Sequence, residues 1–256
     1  MIRGLYMSAT GMIVQEMRQD VIGNNLVNAT TSGFKGETAT TQPFPEMLLY
    51  RLGEGRATPV GNLGPGVMVD GVHTNYAPGV LEETGRSTDL ALVQAGGGEN
   101  LAFFTVQVGA GVAYTRNGSF HMDADGFLVT PEGHYLQGPY GPVYAGTPNF
   151  QVNGSGQVLV NGQVVDQLQI VTFARQDLPR LQRQGDNLFT APQGVQPGSA
   201  AGVQVRQGWL EKANVDVTRE MVDMLAVLRA YEANQRAIQA EDQTLGKSVN
   251  EVGSLR

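Results

Sequence analysis

The chain has 256 residues, no cysteine, 34 glycines and a formal net charge of −7. Disulfide and thiolate chemistry are therefore excluded, and the acidic balance without a basic patch argues against nucleic acid or anionic lipid as a partner. Charged residues make up only 16% of the chain, low for a soluble enzyme, and the many glycines suit tight turns between short strands.

The N-terminal spacing predicts a helix over 2–28, with Ile2, Leu5, Tyr6, Ala9, Met12, Ile13, Met17 and Val21 on one stripe. Gln15, Glu16, Arg18, Gln19 and Asp20 interrupt any apolar run, so this segment is not a cleaved signal peptide. No segment is long and apolar enough to span a bilayer, and no direct membrane insertion is expected. The helix is expected to end in the stretch Asn24, Asn25, Asn28, because Asn competes for local backbone bonds, and Ser32-Gly33 then turns the chain. Residues 36–74, with Pro43, Pro45, Pro59 and Pro65, read as an extended connector in which only Glu46–Leu52 suits a short helix.

Residues 75–209 read as a central, mostly antiparallel β domain. Asp123–Gly126, Asn153–Gly156 and Asn161-Gly162 are hairpin signals, and Gln167–Ala174, apolar on both faces, reads as an interior strand. From Asn214 the pattern turns helical, with Asn214 or Asp216 as the cap and Glu220 placing negative charge in the first turn. Two rows then recur every seven residues: Val217, Met224, Tyr231, Ile238, Leu245, Val252, and Met221, Leu228, Gln235, Asp242, Val249. Such rows predict a coiled-coil seam. A helix with one apolar stripe is not stable alone in water, so helices at both ends imply pairing with each other or with further copies. The expected fold is α+β: long terminal helices (1–35 and 210–256) pairing as a coiled coil, the connector 36–74, and the β domain 75–209.

No catalytic constellation emerges. His73, His121 and His134 have no metal-ligand spacing. Asp123-x-Asp125-Gly126 lacks the rest of a calcium loop, and Gly96–Gly98 lacks the Gly-Lys-Ser/Thr ending of a phosphate loop. Neither enzyme activity nor a cofactor or metal is expected. Assembly is the reading the residues favour, with a secreted β-rich adhesin on a helical stalk as the rival.

Asp20, Asn24, Asn25, Leu26, Asn28, Thr31, Gly33, Phe34 and Lys35, followed far downstream by Asn214, Val215, Glu220, Met224, Arg229, Tyr231 and Glu232, resemble the N- and C-terminal signatures of the bacterial flagellar rod and hook family. Gly85–Leu92 and Ala113–Phe120 are similar to the start of that family's central domain. The length favours a rod subunit over the longer hook protein; Leu63–Val67 resembles the distal type, Tyr76–Gly79 through Gly85-Arg86 also suits the proximal type, and the distal type is favoured. The resemblance implies paired terminal helices inside a helical tube that carries torque from motor to hook. It implies partners among copies of the chain and neighbouring rod and hook subunits, and a place in the basal body, periplasmic or spanning the envelope. It also implies export through the flagellar type III apparatus without a cleaved signal. Phe44 and Leu48, in Phe44-Pro-Glu-Met-Leu48, resemble a short element that contacts the export gate. The assembly residues expected on the terminal helices are Ile2, Leu5, Ala9, Ile13 and Met17, and Val217, Met221, Met224, Leu228, Tyr231, Ile238, Leu245 and Val249.

Overall fold

The two stripes fold as long helices, α1 (Ile2–Val27) and α2 (Val217–Gly253). The computed structural model describes the chain except residues 1, 54–55, 65, 95–99, 110, 186, 201 and 254–256; Gly96–Gly98 lies outside the described residues. At 1.5 Å per residue α2 is a rod of about 55 Å. Asp216 is its cap: Oδ1 accepts from the Thr218 and Arg219 backbone N–H groups at 3.0 and 3.2 Å.

Chain contacts divide the molecule into two compact units. The first comprises residues 1–27, 37–73 and 216–256. Here α1 and α2 lie against each other, and residues 37–73 supply paired β strands. Strand β1 (Glu37–Pro43) pairs with β4 (Val67–Thr74), and β2 (Met47–Gly53) pairs antiparallel with β3 (Arg56–Leu63) from Met47↔Leu63 to Gly53↔Arg56. The helix expected over Glu46–Leu52 is therefore strand β2. Its apolar run Met47-Leu-Leu-Tyr50 is satisfied by ladder bonds to a partner strand, which a local propensity argument does not see.

The second unit comprises residues 28–36 and 74–215. Strands β5 (Leu81–Glu83), β6 (Leu90–Gln94), β7 (Asn100–Val108) and β8 (Gly111–Thr115) open it. Strand β7 is its spine, pairing antiparallel with β8, with Tyr135–Gly138 and with Ile170–Ala174. Its side chains alternate between two cores: Ala102, Phe104 and Val106 join Leu90, Phe120, Leu128, Leu136 and Val158, while Leu101 and Phe103 join Tyr114, Phe173 and Phe189. That alternation is the period-two rule applied to a sheet covered on both faces. The interior strand expected over Gln167–Ala174 is shorter, Ile170–Ala174; its Val171 and Phe173 sit in the second core, while Gln167 ends the preceding strand and Leu168, between the two strands, sits in the first core.

The hairpin signals fold as turns. Asp123 Oδ1 accepts from the Asp125 and Phe127 N–H groups, which commits that oxygen to the turn. Asn153 caps its own turn in the same way, through Ser155 and Gln157. Asn161 and Gly162 both have positive φ, 53° and 79°, the requirement of a type I′ hairpin.

Candidate assembly site

Two places bring the terminal segments together: the helix pair of the first unit and a buried knot in the second. The helix pair runs antiparallel with one rung per seven residues. A Cβ on Gly4 would overlap Glu241 Oε1, and one on Gly11 would come within 2.9 Å of Asn234 Nδ2. Two further heptads on, Asn25 Nδ2 donates to Glu220 Oε1 at 3.2 Å. The row of α2 that meets these positions is Glu220, Val227, Asn234 and Glu241, with Val227 buried. Small residues on α1 thus make room for polar side chains on α2.

Of the two heptad rows read from the sequence, Met224, Tyr231, Ile238 and Leu245 are half-buried. Val217, Met221, Leu228 and Val249 of α2 are exposed in the single chain, as are Gln235 and Asp242. On α1, Leu5 is half-buried, whereas Ala9, Ile13 and Met17 are exposed. Ile2 begins α1 and its side chain, like that of Val252, lies outside the described residues. Two apolar stripes therefore face outward: Tyr6, Ile13 and Met17 on α1, and Val217, Met221, Leu225 and Leu228 on α2. Leu225, 56% exposed, was not among the residues singled out by the heptad rows.

Asn25, in the last turn of α1, has both halves of its amide in use. Nδ2 donates to Glu37 O at 2.8 Å and Oδ1 accepts from Glu37 N at 2.9 Å, so the start of β1 is stapled to the last helical turn. Burial pushes the Glu220 carboxyl up, against the Asn25 hydrogen bond, which works to lower it.

The knot lies within the second unit. Lys35, fully buried, donates from Nζ to Glu211 Oε1 at 2.7 Å and to Ala77 O at 2.8 Å. Arg116, also buried, grips Glu211 Oε2 through Nε and Nη2, and donates to Ala102 O and Leu92 O. Gly79 N–H adds a bond to Glu211 Oε1 at 2.9 Å. Burial works to raise the Glu211 carboxyl, but Arg116 and Lys35 together hold it below the ordinary carboxylate value. Burial also lowers Lys35, with Glu211 opposing that shift and Arg116 adding to it.

Asn214 completes the knot. Its Oδ1 accepts from Gly36 N, and its Nδ2 donates to Asn75 O and Ala77 O at 2.7 and 2.9 Å. Gly33, at φ 67°, brings its N–H to Glu211 O at 2.6 Å, and a Cβ there would lie 2.3 Å from the Arg116 backbone. Phe34 is buried with the Arg183 guanidinium 4.3 Å above its ring centroid.

Three family models match along the chain: a flagellar basal-body rod protein model over residues 5–35, a flagellar hook protein FlgE/F/G D1 domain over 99–170, and a flagellar basal-body rod FlgEFG protein C-terminal model over 206–251. The flagellar basal-body rod protein FlgG of Bacillus subtilis is 32% identical over 98% of this chain and 99% of its own length. The chain belongs to the flagellar basal-body rod family. FlhO of Bacillus subtilis, a flagellar hook-basal body complex protein, is 32% identical over the full length of both chains, and FlgG of Borreliella burgdorferi is 32% identical over 98% of both. The rod family is structural, not enzymatic.

The family signature residues fall in different places. Asn25 and Glu220 meet in the helix pair; Gly33, Phe34, Lys35 and Asn214 meet in the knot. Asn28 and Thr31 form the turn after α1, with Thr31 N–H on Asn28 O, and Val215 follows Asn214 at the root of α2. Asp20, Asn24, Arg229 and Glu232 are exposed, Glu232 lying 3.5 Å from Arg236. Phe44 is half-buried with its ring centroid 6.3 Å from that of Tyr6, and Leu48 is exposed. Arg116 and Glu211 were not singled out in the sequence. Arg116 directly follows β8, inside the Ala113–Phe120 segment, and Glu211 ends a short strand after Trp209 and Leu210.

Proposed function

We propose that this chain is a FlgG-like subunit of the distal rod, polymerising with its own copies into a helical tube that passes torque from motor to hook. Adjoining rod and hook subunits are its neighbours at the tube's ends. The observation that carries this reading is the pair of outward apolar stripes, Tyr6–Ile13–Met17 and Val217–Met221–Leu225–Leu228, on helices that already use their inner faces on each other. Apolar rows of this length on a helical rod call for further helices of the same kind. Identity near one third with FlgG relatives over nearly the whole length supports the assignment to the rod.

Export through the flagellar type III apparatus accounts for an N-terminal helix whose polar residues break any signal-like run. Exposed Leu48 beside half-buried Phe44 suits a contact with the export gate made while the chain is still unfolded, before Phe44 packs on Tyr6. Electron microscopy of basal bodies from a strain lacking the gene tests the reading. Basal bodies without a complete rod, and without hook or filament, are expected. Intact flagella would refute it, and a rod truncated at its proximal end would reassign the subtype.

A further inference from the structure

The knot holds two cations and one carboxylate, all buried. Arg116 and Glu211 alone make a neutral pair, so Lys35 adds a buried positive charge that fold stability does not ask for. Lys35 is also dispensable as a donor. Glu211 Oε1 keeps the Gly79 N–H, and Ala77 O keeps Asn214 Nδ2, so removing Lys35 orphans no acceptor. What Lys35 and Asn214 share is their position. The chain passes between the two units after residues 27, 36, 73 and 215. Asn214 ties Gly36 to Asn75 and Ala77, and Lys35 ties its own segment to Ala77 and Glu211. Three of these crossings are therefore fastened at one point within the β unit.

We propose that Lys35 and Asn214 are positioning residues for polymerisation: they fix where the segments leading to the terminal helices leave the β unit. The inference rests on the rod reading. In a helical polymer each subunit repeats the same interface, so a small error at the roots recurs in every copy and prevents the lattice from closing, while costing one isolated chain little. Buried ionic groups that specify one arrangement at some expense of stability are known devices of this kind.

The test uses Lys35→Met, which keeps the aliphatic stem and leaves Arg116–Glu211 neutral, and Asn214→Asp, which keeps the acceptor for Gly36 N–H. The sole tryptophan, Trp209, lies in the β unit and reports its unfolding by fluorescence. Lys35→Met is expected to leave the Trp209 midpoint unchanged or higher, and both variants to lose rods in basal bodies when they replace the wild-type gene. The two readouts together separate the roles: a packing residue lowers the Trp209 midpoint when replaced, whereas a positioning residue loses rods without lowering it. Because Lys35 is lowered from 10.5, the wild-type β unit gains stability as pH rises through the lowered value towards 10.5, and Lys35→Met removes that gain. Normal rods from both variants overturn the proposal, as does a large drop in the Trp209 midpoint with Lys35→Met, which would make Lys35 a stability element. If deleting the gene leaves rods intact, the rod reading falls and takes this proposal with it. If deletion removes the rod and both variants restore it, this proposal alone falls.

Discussion

One unit of this chain closes its own core and the other does not. In the β unit Phe103, Phe104, Phe120, Phe173 and Phe189 are each fully buried, on two faces of one sheet. Among the described residues, burial in the helix-and-ribbon unit is confined to Val14, Val21, Ile22, Asn25 and Val227, while Ile13, Met221 and Leu225 stand in solvent. The contrast separates what a single chain needs in order to fold from what a polymer needs in order to form. Hydrophobic area left open on the helices is driving force held back for neighbours. The two units also have separate optical reporters: Trp209 fluorescence follows the β unit, and circular dichroism near 222 nm is dominated by α1 and α2.

Gly33→Ala is the strongest way to break the self-sufficient side. The substitution forces a non-glycine residue to φ 67° and sets a Cβ 2.3 Å from Arg116 backbone atoms, which no side-chain rotation relieves. Strain and clash together should cost more than about 3 kcal/mol. The Trp209 transition in denaturant is expected to shift by that amount. An unchanged midpoint would mean that the loop at Gly33 does not press on the Arg116–Asn117 backbone at all.

Acid should pull the two units in opposite directions. Glu211 is held below its ordinary value of 4.5, so its contribution is complete above that value and is lost as pH falls through the lowered one. Glu220 is raised above 4.5, so its protonated form is favoured in the folded helix pair, and that contribution is lost as pH rises through the raised value. Acidifying from neutral is expected first to strengthen the 222 nm signal of the helix pair and then, below 4.5, to weaken the Trp209 transition. Parallel movement of both signals would show that the two carboxylates do not govern their units separately.

Periodicity carried much of this fold into view, and its failures are instructive. The helices at both ends and the Asn161-Gly162 hairpin follow from local spacing and turn chemistry. The ribbon does not, because β1, Glu37-Thr-Ala-Thr-Thr-Gln-Pro43, is mostly exposed and Met47 meets a partner at Leu63, so no local alternation marks it. The second seam row lies outside the intramolecular helix pair for a different reason. Gly4 and Gly11 open space that Glu241 and Asn234 fill, and Met221 and Leu228 face outward, where only a further copy can cover them. Glycine on one helix can thus bring polar side chains to the seam of another. The charged knot was illegible because Arg116 and Glu211 stand 95 residues apart, and nothing in either neighbourhood names its partner.

The smallest effect on the monomer sharpens the comparison most. Leu225 is 56% exposed and lies between Met221 and Leu228 on the outward stripe of α2. Lysine is a good helix former and a surface position tolerates it, so Leu225→Lys should change the stability of either unit by less than about 0.5 kcal/mol. If that stripe is only an incidental patch on a self-contained helix pair, the variant is silent everywhere. If it is the surface on which a second copy packs, the same substitution places a charge in every repeated interface and rods fail to form, although Trp209 and 222 nm signals match the wild type. A variant that is normal as a monomer and absent as a polymer would place the division between folding and assembly on the outer face of α2. Full-length rods built from it would move that division elsewhere.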